Sequence, residues 1–370
     1  KTAQGNQDGN NIGDFYYAPP TGFLALCTSN LPDVAVIPSE HFNTIIYSGD
    51  SSNKTLTGVG FQADLAWFKP RNQTWDNSLY DSVRGGSKRV RSNQTSAEDT
   101  SSSGYISSFN SDGYAVVHGG SNHKNVNQSG FNYVAWNWKA NGSGSSNTNG
   151  SINSTVSANV DAGFSIVGYT GNGSNGATVG HGLSKTPEMV LIKQRSTAGH
   201  HWKSIMPPLG AGKALYLNLT NAAASGQFNN TLPTSSVFTL DTDTNCNENG
   251  ATHIAYAFHS VDGYSKVGTY SGNGSTDGTF VYTGFRPAFV MTKSHNSARH
   301  WAIADNKRGA INPSDDVLMA NLSSVETDGA VDLLSNGFKI RINYSDWNNS
   351  SGQYIYLAFA ETPFKYSNAR

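Results

Sequence analysis

The chain has 370 residues, and its 25 basic and 26 acidic side chains leave a formal net charge of −1. Only 14% of the residues are charged, against about 25% in a typical soluble protein. No basic block marks a surface for nucleic acid or an anionic membrane, and no apolar run approaches the roughly 18 residues of a spanning helix. The 17 Phe, 17 Tyr and 7 Trp predict a packed core.

The start of the chain and its cysteines add little. Residues 1–5 contain neither an initiator Met nor an apolar signal segment, so we expect a processed chain or part of a longer one. Cys27 and Cys246 are the two cysteines, too few for a disulfide framework or a cysteine-rich zinc site. We expect both to be small buried apolar side chains rather than a bridge.

One sequence pattern then occurs three times, at a spacing of roughly 100 residues. It opens with Tyr-x-Gly, continues with an apolar strand that ends in lysine, and closes with a strand rich in aromatic or aliphatic residues. Its landmarks are Tyr47, Tyr169 and Tyr270; Lys69, Lys193 and Lys293; Asn77, Trp202 and Trp301; Gly85, Gly210 and Gly309; and the closing strands 130–138, 250–258 and 352–359.

These copies set the predicted domain organisation. We place repeat 1 at 44–140, repeat 2 at 163–262 and repeat 3 at 263–370, with 141–162 as a flexible Gly/Ser/Asn linker. The apolar runs are short, rich in Val, Ile, Tyr and Phe, and bounded by Gly, Asn, Asp or Pro. About seven strands per hundred residues is typical of a β-sandwich. The sequence predicts an all-β chain of three tandem β-sandwich modules, jelly-roll or lectin-like, each around its own core.

The repeats resemble a module of unknown function that is common in structural proteins of marine bacteriophages, including those that infect cyanobacteria. The resemblance covers about residues 44–366 and is carried by 179–193, 234–240, 284–290, 334–338 and 359–366. It implies a virion or tail-fibre protein. Residues 13–32 resemble the last strands of a SPRY-like, lectin-type domain, so 1–43 is expected to be the end of such a domain and a connector.

Aromatic residues are the binding candidates, because an exposed Trp beside polar groups stacks on a sugar ring. His201-Trp202 and His300-Trp301 follow polar loops at equivalent places. The alternative is that each Trp packs inside its own sandwich. Trp347, surrounded by polar residues, is the aromatic that we expect to be exposed, and Trp75 has a similar setting.

Catalytic and metal motifs are weak in this sequence. Asp81 and Asp305 occupy matching positions, but repeat 2 has Met206 there, and no nucleophile elbow, phosphate loop or His-Glu-x-x-His occurs. We therefore expect no enzyme activity and no cofactor. The oxygen side chains of Asp241, Asp243 and Asn245 form a weak calcium candidate.

That calcium candidate departs from a calcium loop at two positions. Cys246 stands where such a loop has glycine, and Thr252 stands where it has a bidentate Glu. We therefore expect a hairpin loop rather than a metal site.

We expect a homo-oligomeric virion protein at the particle surface, a trimer by analogy with phage fibres, bound to other virion proteins. The favoured function is a tail fibre or appendage that contacts host surface polysaccharide through weak, multivalent contacts. An architectural protein such as a capsid decoration, head fibre or self-assembling surface fibril would show large apolar contacts between modules or chains and no exposed aromatic cleft. A polysaccharide depolymerase would show two paired carboxylates.

Overall fold

A computed structural model describes residues 2–27, 30 and 36–361, which fall into two compact units. The first unit ends before Val36 and is organised around one carboxylate. Asp8 accepts hydrogen bonds from the backbone N–H groups of Asn10, Ile12 and Ala25. Burial alone would raise the pKa of this carboxyl, but these bonds and one from Asn30 lower it to about 2.

The second unit begins at Val36 and is all-β. The names repeat 1, repeat 2 and repeat 3 are used below for strands β1–β9, β10–β18 and β19–β26. Repeat 1 contains β1 Phe42–Ser48, β2 Lys54–Leu56, β3 Leu65–Pro70, β4 Ser78–Asp81, β5 Lys88–Arg89, β6 Asp99–Thr100, β7 Tyr105–Asn110, β8 Gly113–Val117 and β9 Asn132–Trp138. Repeat 2 contains β10 Ser145–Asn147, β11 Ser154–Asn159, β12 Phe164–Thr170, β13 Thr178–Gly180, β14 Met189–Gln194, β15 Lys203–Ile205, β16 Ala214–Tyr216, β17 Val237–Thr239 and β18 Thr252–Phe258. Repeat 3 contains β19 Ser265–Ser271, β20 Phe280–Tyr282, β21 Pro287–Ser294, β22 Trp301–Asp305, β23 Ser314–Met319, β24 Thr327–Leu334, β25 Gly337–Ile340 and β26 Gln353–Ala360.

The described helices are short. Two α-helical turns, α1 Thr244–Asn247 and α2 Ser345–Asn348, precede the closing strands of repeats 2 and 3. The described 3₁₀ helices include Pro38–Glu40, Pro207–Leu209 and Phe228–Asn230. The absence of long helices follows from the sequence, whose apolar runs are short, β-branched or aromatic and interrupted by Gly, Asn and Pro.

Each repeat is built on the same antiparallel arrangement. The closing strand lies between the opening strand and the lysine-ending strand, giving the orders β1-β9-β3-β4, β12-β18-β14-β15-β16 and β19-β26-β21-β22-β23. The opening tyrosines face equivalent partners in register: Tyr47 pairs with Tyr133, Tyr169 with His253 and Tyr270 with Tyr354. In each pair the two rings are stacked, 4.8 to 5.1 Å apart.

Because side chains alternate across a strand, each central sheet has two apolar faces. One face lies in a core of the repeat itself, which contains Phe68 in repeat 1, Ile192 in repeat 2 and Val290 in repeat 3. The opposite faces of all three sheets meet in one further cluster, which includes Trp138, Phe258 and Phe359. The rings of Phe42 and Phe359 stack there at 4.9 Å.

The shared cluster changes the expected domain organisation. Each repeat does have a core of its own, but its other face is buried only against its neighbours. Residues 141–162, expected to be a flexible linker, instead contain β10 and β11, which extend the sheet of repeat 2 beside β12. The all-β class is confirmed. The three repeats form one compact unit, and no flexible linker separates repeat 1 from repeat 2 in the described residues.

Candidate functional site

The two tryptophans that follow histidine are buried between repeats. Trp202 and Trp301 are 0% and 1% exposed and lie in the shared cluster. The indole N–H of Trp202 donates to the Arg91 carbonyl of repeat 1 at 2.7 Å, and that of Trp301 donates to the Tyr216 carbonyl of repeat 2 at 3.0 Å. Packing is therefore the correct alternative, although each ring joins two repeats rather than filling its own.

The adjoining histidines hold loops together. His201 Nδ1 lies 2.9 Å from the amide nitrogen of Asn218, and His300 Nδ1 lies 2.9 Å from that of Asn321. The backbone N–H of His201 donates to Asn245 Oδ1 at 2.6 Å. Both imidazoles are partly buried, and neither stands beside an exposed tryptophan.

The expectation that Trp347 is exposed is wrong. Its side chain is 1% exposed because α2 turns it into the core of repeat 3, at the position that Cys246 holds in repeat 2. Its carbonyl accepts the Tyr270 hydroxyl at 2.8 Å. Trp75 is half-buried, with its indole N–H on Asn125 Oδ1 at 2.8 Å and the Lys124 ammonium 4.8 Å from its ring centroid. A buried ring has no free face for a sugar.

A lysine occupies the calcium candidate. The Lys203 ammonium lies 2.9 Å from Asp241 and 2.8 Å from Asp243, and its side chain is fully buried. Burial opposes the charge, but the nearby carboxylates raise the pKa of Lys203. The backbone N–H of Asn245 donates to Asp243 Oδ1 within the turn, at 2.8 Å. The described residues contain no group of three His, Cys, Asp or Glu side chains that would hold a metal ion.

The Tyr-x-Gly signature closes a loop in every repeat. The hydroxyls of Tyr169 and Tyr270 donate to the Cys246 and Trp347 carbonyls, as Tyr47 donates to that of Val126. A buried asparagine follows each acceptor, at Asn127, Asn247 and Asn348, and its Oδ1 accepts an N–H from the loop after the glycine. A Cβ on Gly171 would lie 2.4 Å from the Glu248 carbonyl oxygen. The signature therefore has a structural role, which is to fix this loop in each repeat.

The lysine that ends each central strand joins neighbouring repeats. Lys69 donates to the Ser323 carbonyl at 3.2 Å, and Lys293 donates to the Thr220 carbonyl at 3.0 Å. Lys193 makes the equivalent contact with Thr95, at 3.5 Å. Repeat 1 thus contacts repeat 3, repeat 3 contacts repeat 2, and repeat 2 contacts repeat 1. The three junctions close a ring.

These three lysines are buried without a carboxylate partner, and this burial affects their pKa values. It lowers the pKa of Lys69 to about 7 and the pKa values of Lys193 and Lys293 to about 8. Each amine also donates to a backbone carbonyl of its own repeat, at Pro70, His200 or Ser294, and so joins that carbonyl to the one in the neighbouring repeat. No reacting group lies among these contacts.

Two of the three junctions also contain buried ion pairs. Arg84 Nε lies 2.5 Å from Asp81 Oδ2, and the Tyr256 hydroxyl of repeat 2 donates to the same oxygen at 2.7 Å. The pair Asp305–Arg308 of repeat 3 is equivalent, at 2.6 Å, and it receives the Trp136 indole N–H of repeat 1.

The two aspartates that matched in sequence therefore lie at separate junctions. Each has its own arginine, and they do not form the carboxylate pair of a glycosidase.

An aromatic surface that the sequence reasoning missed lies on β20. Phe280 is 43% and Tyr282 58% exposed, on the same face of this edge strand. The Lys266 ammonium lies 5.3 Å from the Tyr282 ring centroid, and Lys339, paired in register with Phe280, forms a 2.7 Å ion pair with Asp277. The equivalent strands β2 and β13 carry no aromatic residue. A comparison of the three copies at this strand could have revealed these aromatic residues from the sequence.

Within the part of the chain that is described, no helix has the length and apolar character needed to cross a membrane.

Searches of curated proteins and of solved structures each found no match. A family model described as "Domain of unknown function (DUF7483)" matches residues 37–363, and this single match spans all three repeats. The chain therefore belongs to the DUF7483 family, a domain of unknown function.

Proposed function

We propose that this chain is an architectural, non-enzymatic component of a bacteriophage virion, at the particle surface. The observation that supports this function is the shared cluster, in which the inner faces of three repeats bury aromatic rings against one another. The signature tyrosine, the buried asparagine and the strand-ending lysine recur in all three repeats, and each of them fixes a loop or a junction. Large apolar contacts between repeats and buried tryptophans are what an architectural role requires. The virion context rests on the resemblance of the repeats to phage structural modules.

The finer fold assignment is part of the same proposal. We regard each repeat as a sandwich-like module, because each has its own core besides the shared one. The SPRY-like origin of residues 1–43 stays a prediction, as does a homo-oligomer, for which we expected a trimer.

Labelling of intact particles tests the architectural proposal. Antibodies against the purified chain should bind intact virions at regular positions, and the chain should release no sugar from host polysaccharide. Labelling of soluble lysate protein alone, or release of oligosaccharides, would contradict it.

A contact with host surface glycans is the second candidate function, and the exposed pair Phe280 and Tyr282 favours it. Two rings on alternate positions of one strand present adjacent apolar faces, and Lys266, Lys339 and Asp277 supply hydrogen-bonding groups beside them. Aromatic rings with a few polar anchors are typical of sugar sites. This surface replaces the buried Trp202, Trp301 and Trp347 as the glycan candidate.

Polysaccharide binding separates the two functions. Retention of the chain on immobilised host polysaccharide should fall at least about tenfold in Phe280→Ala/Tyr282→Ala, because stacking is lost. Tyr344→Ala is the matched control, since Tyr344 is 55% exposed elsewhere on repeat 3. Equal retention of both variants, or none by the native chain, would leave the architectural role alone.

A further inference from the structure

We propose that Asn141 and Asn149 are modification sites, which lose their side-chain amides by spontaneous deamidation in the folded protein, while the other Asn-Gly pairs are protected. This inference goes beyond the architectural role, because it concerns a chemical change of the chain with time. It rests on a comparison of the seven Asn-Gly pairs in the sequence, which begin at Asn141, Asn149, Asn172, Asn175, Asn249, Asn273 and Asn336.

The chemistry of an Asn-Gly pair depends on the backbone nitrogen of the glycine. This nitrogen attacks Cγ of the asparagine, the Cγ–Nδ2 bond breaks, and ammonia leaves with the proton of the glycine N–H. Water then opens the five-membered imide at either carbonyl and gives aspartate or isoaspartate. Glycine favours ring closure because its backbone adopts many conformations. Hydrogen bonds to the glycine N–H or to the asparagine amide oppose closure, since they must break first.

In three of the pairs the attacking nitrogen is held by a hydrogen bond. The N–H groups of Gly173, Gly176 and Gly250 donate to the carbonyls of Asn247, Leu240 and Gly171, each at 2.9 Å. The asparagines that precede these glycines are exposed, as Asn141 and Asn149 are. Exposure therefore does not distinguish the pairs, whereas the bonding of the glycine nitrogen does.

A fourth pair is protected through the side chain of its asparagine. Asn273 Oδ1 accepts the backbone N–H of Ser275 at 3.0 Å and the amide of Asn348 at 2.9 Å. Asn273 Nδ2 donates to the Asp277 carbonyl at 3.0 Å. These three bonds fix the carbon that the nitrogen of Gly274 would attack.

A fifth pair is protected by the strands around it. Asn336 is partly buried, and Gly337 is buried as the first residue of β25. The Asn336 carbonyl accepts the N–H groups of Thr283 and Gly284 at 3.0 and 3.1 Å. The peptide group between Asn336 and Gly337, which has to rotate for ring closure, is therefore bonded to the neighbouring chain.

The pairs that begin at Asn141 and Asn149 have none of these restraints. The backbone N–H of Asn141 donates to Ser157 Oγ at 2.7 Å, and that of Asn149 donates to Asn147 Oδ1 at 3.0 Å. Within the described chain, neither side-chain amide has a hydrogen-bond partner, and neither has the N–H of the glycine that follows. In both pairs, therefore, the attacking nitrogen and the attacked carbon are free to meet.

Both unrestrained pairs flank β10, in the connection between repeats 1 and 2. The Gly142 carbonyl accepts the Ser82 hydroxyl of repeat 1 at 2.6 Å. Gly150 lies so close to β13 that a Cβ on it would be 2.4 Å from the Thr178 carbonyl oxygen. Isoaspartate adds one carbon to the backbone and displaces these contacts, which lie outside the shared cluster and the lysine contacts of the ring. The modification therefore alters the connection and leaves the ring of junctions intact.

The modification also changes the charge of the protein. Each conversion replaces a neutral amide by a carboxylate, so two conversions take the formal net charge from −1 to −3. Because few side chains of this protein are charged, the modified forms separate from the native chain on an anion exchanger.

Incubation of the full chain in mildly alkaline water labelled with a heavy oxygen isotope tests the proposal. Each converted asparagine takes up solvent oxygen, which peptide mapping by mass spectrometry locates. Asn141 and Asn149 should convert at least about tenfold faster than Asn172 and Asn273, because the hydrogen bonds at the latter two must break first. In denaturant the four sites should convert at similar rates, since these bonds are then absent.

Two double variants provide a matched comparison by ion exchange. Asn141→Gln/Asn149→Gln should remove most of the acidic forms that appear on incubation, because glutamine does not form the five-membered ring. Asn172→Gln/Asn273→Gln should leave those forms unchanged. Equal conversion of all four asparagines in the folded chain would overturn the proposal, as would faster conversion at Asn172 or Asn273. Conversion of Asn141 and Asn149 only after denaturation would also overturn it.

Discussion

The junction between repeats 1 and 2 and the junction between repeats 2 and 3 have the same geometry but different chemistry. At the first, Tyr256 of repeat 2 meets the buried pair Asp81–Arg84. At the second, the equivalent residues are Leu357 of repeat 3 and Met206 and Leu209 of repeat 2, all apolar. Both junctions share the tryptophan-to-carbonyl bond and the buried lysine.

The difference indicates that packing and backbone contacts specify the ring of junctions. The buried ion pair and its tyrosine can be replaced, as a whole, by apolar residues. A buried ion pair often gains little over apolar residues of similar volume, because both charges lose their hydration. The two members of the ion pair cannot be replaced by apolar residues one at a time. At the ionic junction Glu98 also contacts both Arg84 and Arg195, whereas Ala223 and His295 take the equivalent places at the apolar junction.

The largest expected effect comes from replacing one member of the buried ion pair Asp81–Arg84. Arg84→Leu leaves the fully buried Asp81 carboxylate without its ion partner and should lower the free energy of unfolding by about 3–5 kcal/mol. Chemical denaturation of the full chain measures this loss. The triple variant Asp81→Met/Arg84→Leu/Tyr256→Leu copies the apolar junction and should stay within about 2 kcal/mol of the native chain. A triple variant less stable than Arg84→Leu would contradict the hypothesis that the ion pair and its tyrosine can be replaced together by apolar residues.

Truncation at the apolar junction should have a smaller or similar effect, by a different mechanism. Leu357→Ala creates a cavity in the shared cluster, where this side chain is 2% exposed, and should cost about 2–5 kcal/mol. Thermal unfolding measured by calorimetry should remain a single transition, because all three repeats share that cluster. Separate transitions for the repeats would show that the ring does not unfold as one unit.

The buried lysines predict a pH dependence common to all three junctions. Their pKa values in the folded chain are about 7 to 8, below the ordinary value of 10.5. Between these values the unfolded chain binds more protons, so stability should rise from about pH 7 to pH 10. Lys69→Met should flatten part of this rise in a denaturation series across pH, whereas the exposed Lys307→Met should leave it unchanged. A stability that falls over this range would contradict the assignment.

The smallest expected effect concerns one position where repeat 2 departs from the others. Tyr133 and Tyr354 receive backbone N–H bonds at 2.9 and 2.8 Å, whereas the ring nitrogens of the buried His253 receive no such bond from a described backbone N–H. His253→Tyr should restore these contacts and stabilise the chain by about 1 kcal/mol, as measured by chemical denaturation.

Acid sensitivity supplies the control for this substitution. Burial lowers the pKa of His253 to about 4, so the native chain should lose stability as the pH falls from 6.5 to 4. The variant should lose less over that range. An unchanged acid response would show that another group controls it.

The sequence indicated the all-β class and the three copies, because short β-branched runs and internal repetition are local signals. It also located the residues that later proved to form the junctions, namely Lys69, Trp202 and Trp301. It did not indicate their role. Whether a repeated tryptophan faces its own core or a neighbouring repeat depends on how the sheets meet, and strand periodicity is the same in both cases.

Local polarity was a misleading signal at Trp347. The polar neighbours suggested exposure, but four of these residues form a helical turn that points the indole inward while Asn348 bonds to the loop at Asn273. The Gly/Ser/Asn composition of 141–162 suggested a linker, although Ile152 and Val156 within it have the alternation of a half-buried strand. The exposed pair Phe280 and Tyr282 was overlooked because a three-residue strand carries too little pattern to assign a face.

The closed ring of junctions has a further consequence, which concerns dilution of the protein. In a trimer of separate subunits, threefold contacts weaken as the concentration falls. Here the three partners are joined covalently, so each meets the others at a fixed local concentration set by the connecting chain. The ring cannot dissociate upon dilution. Because the three positions belong to one polypeptide, each can also acquire a different surface without altering the other two, as the aromatic strand of repeat 3 illustrates.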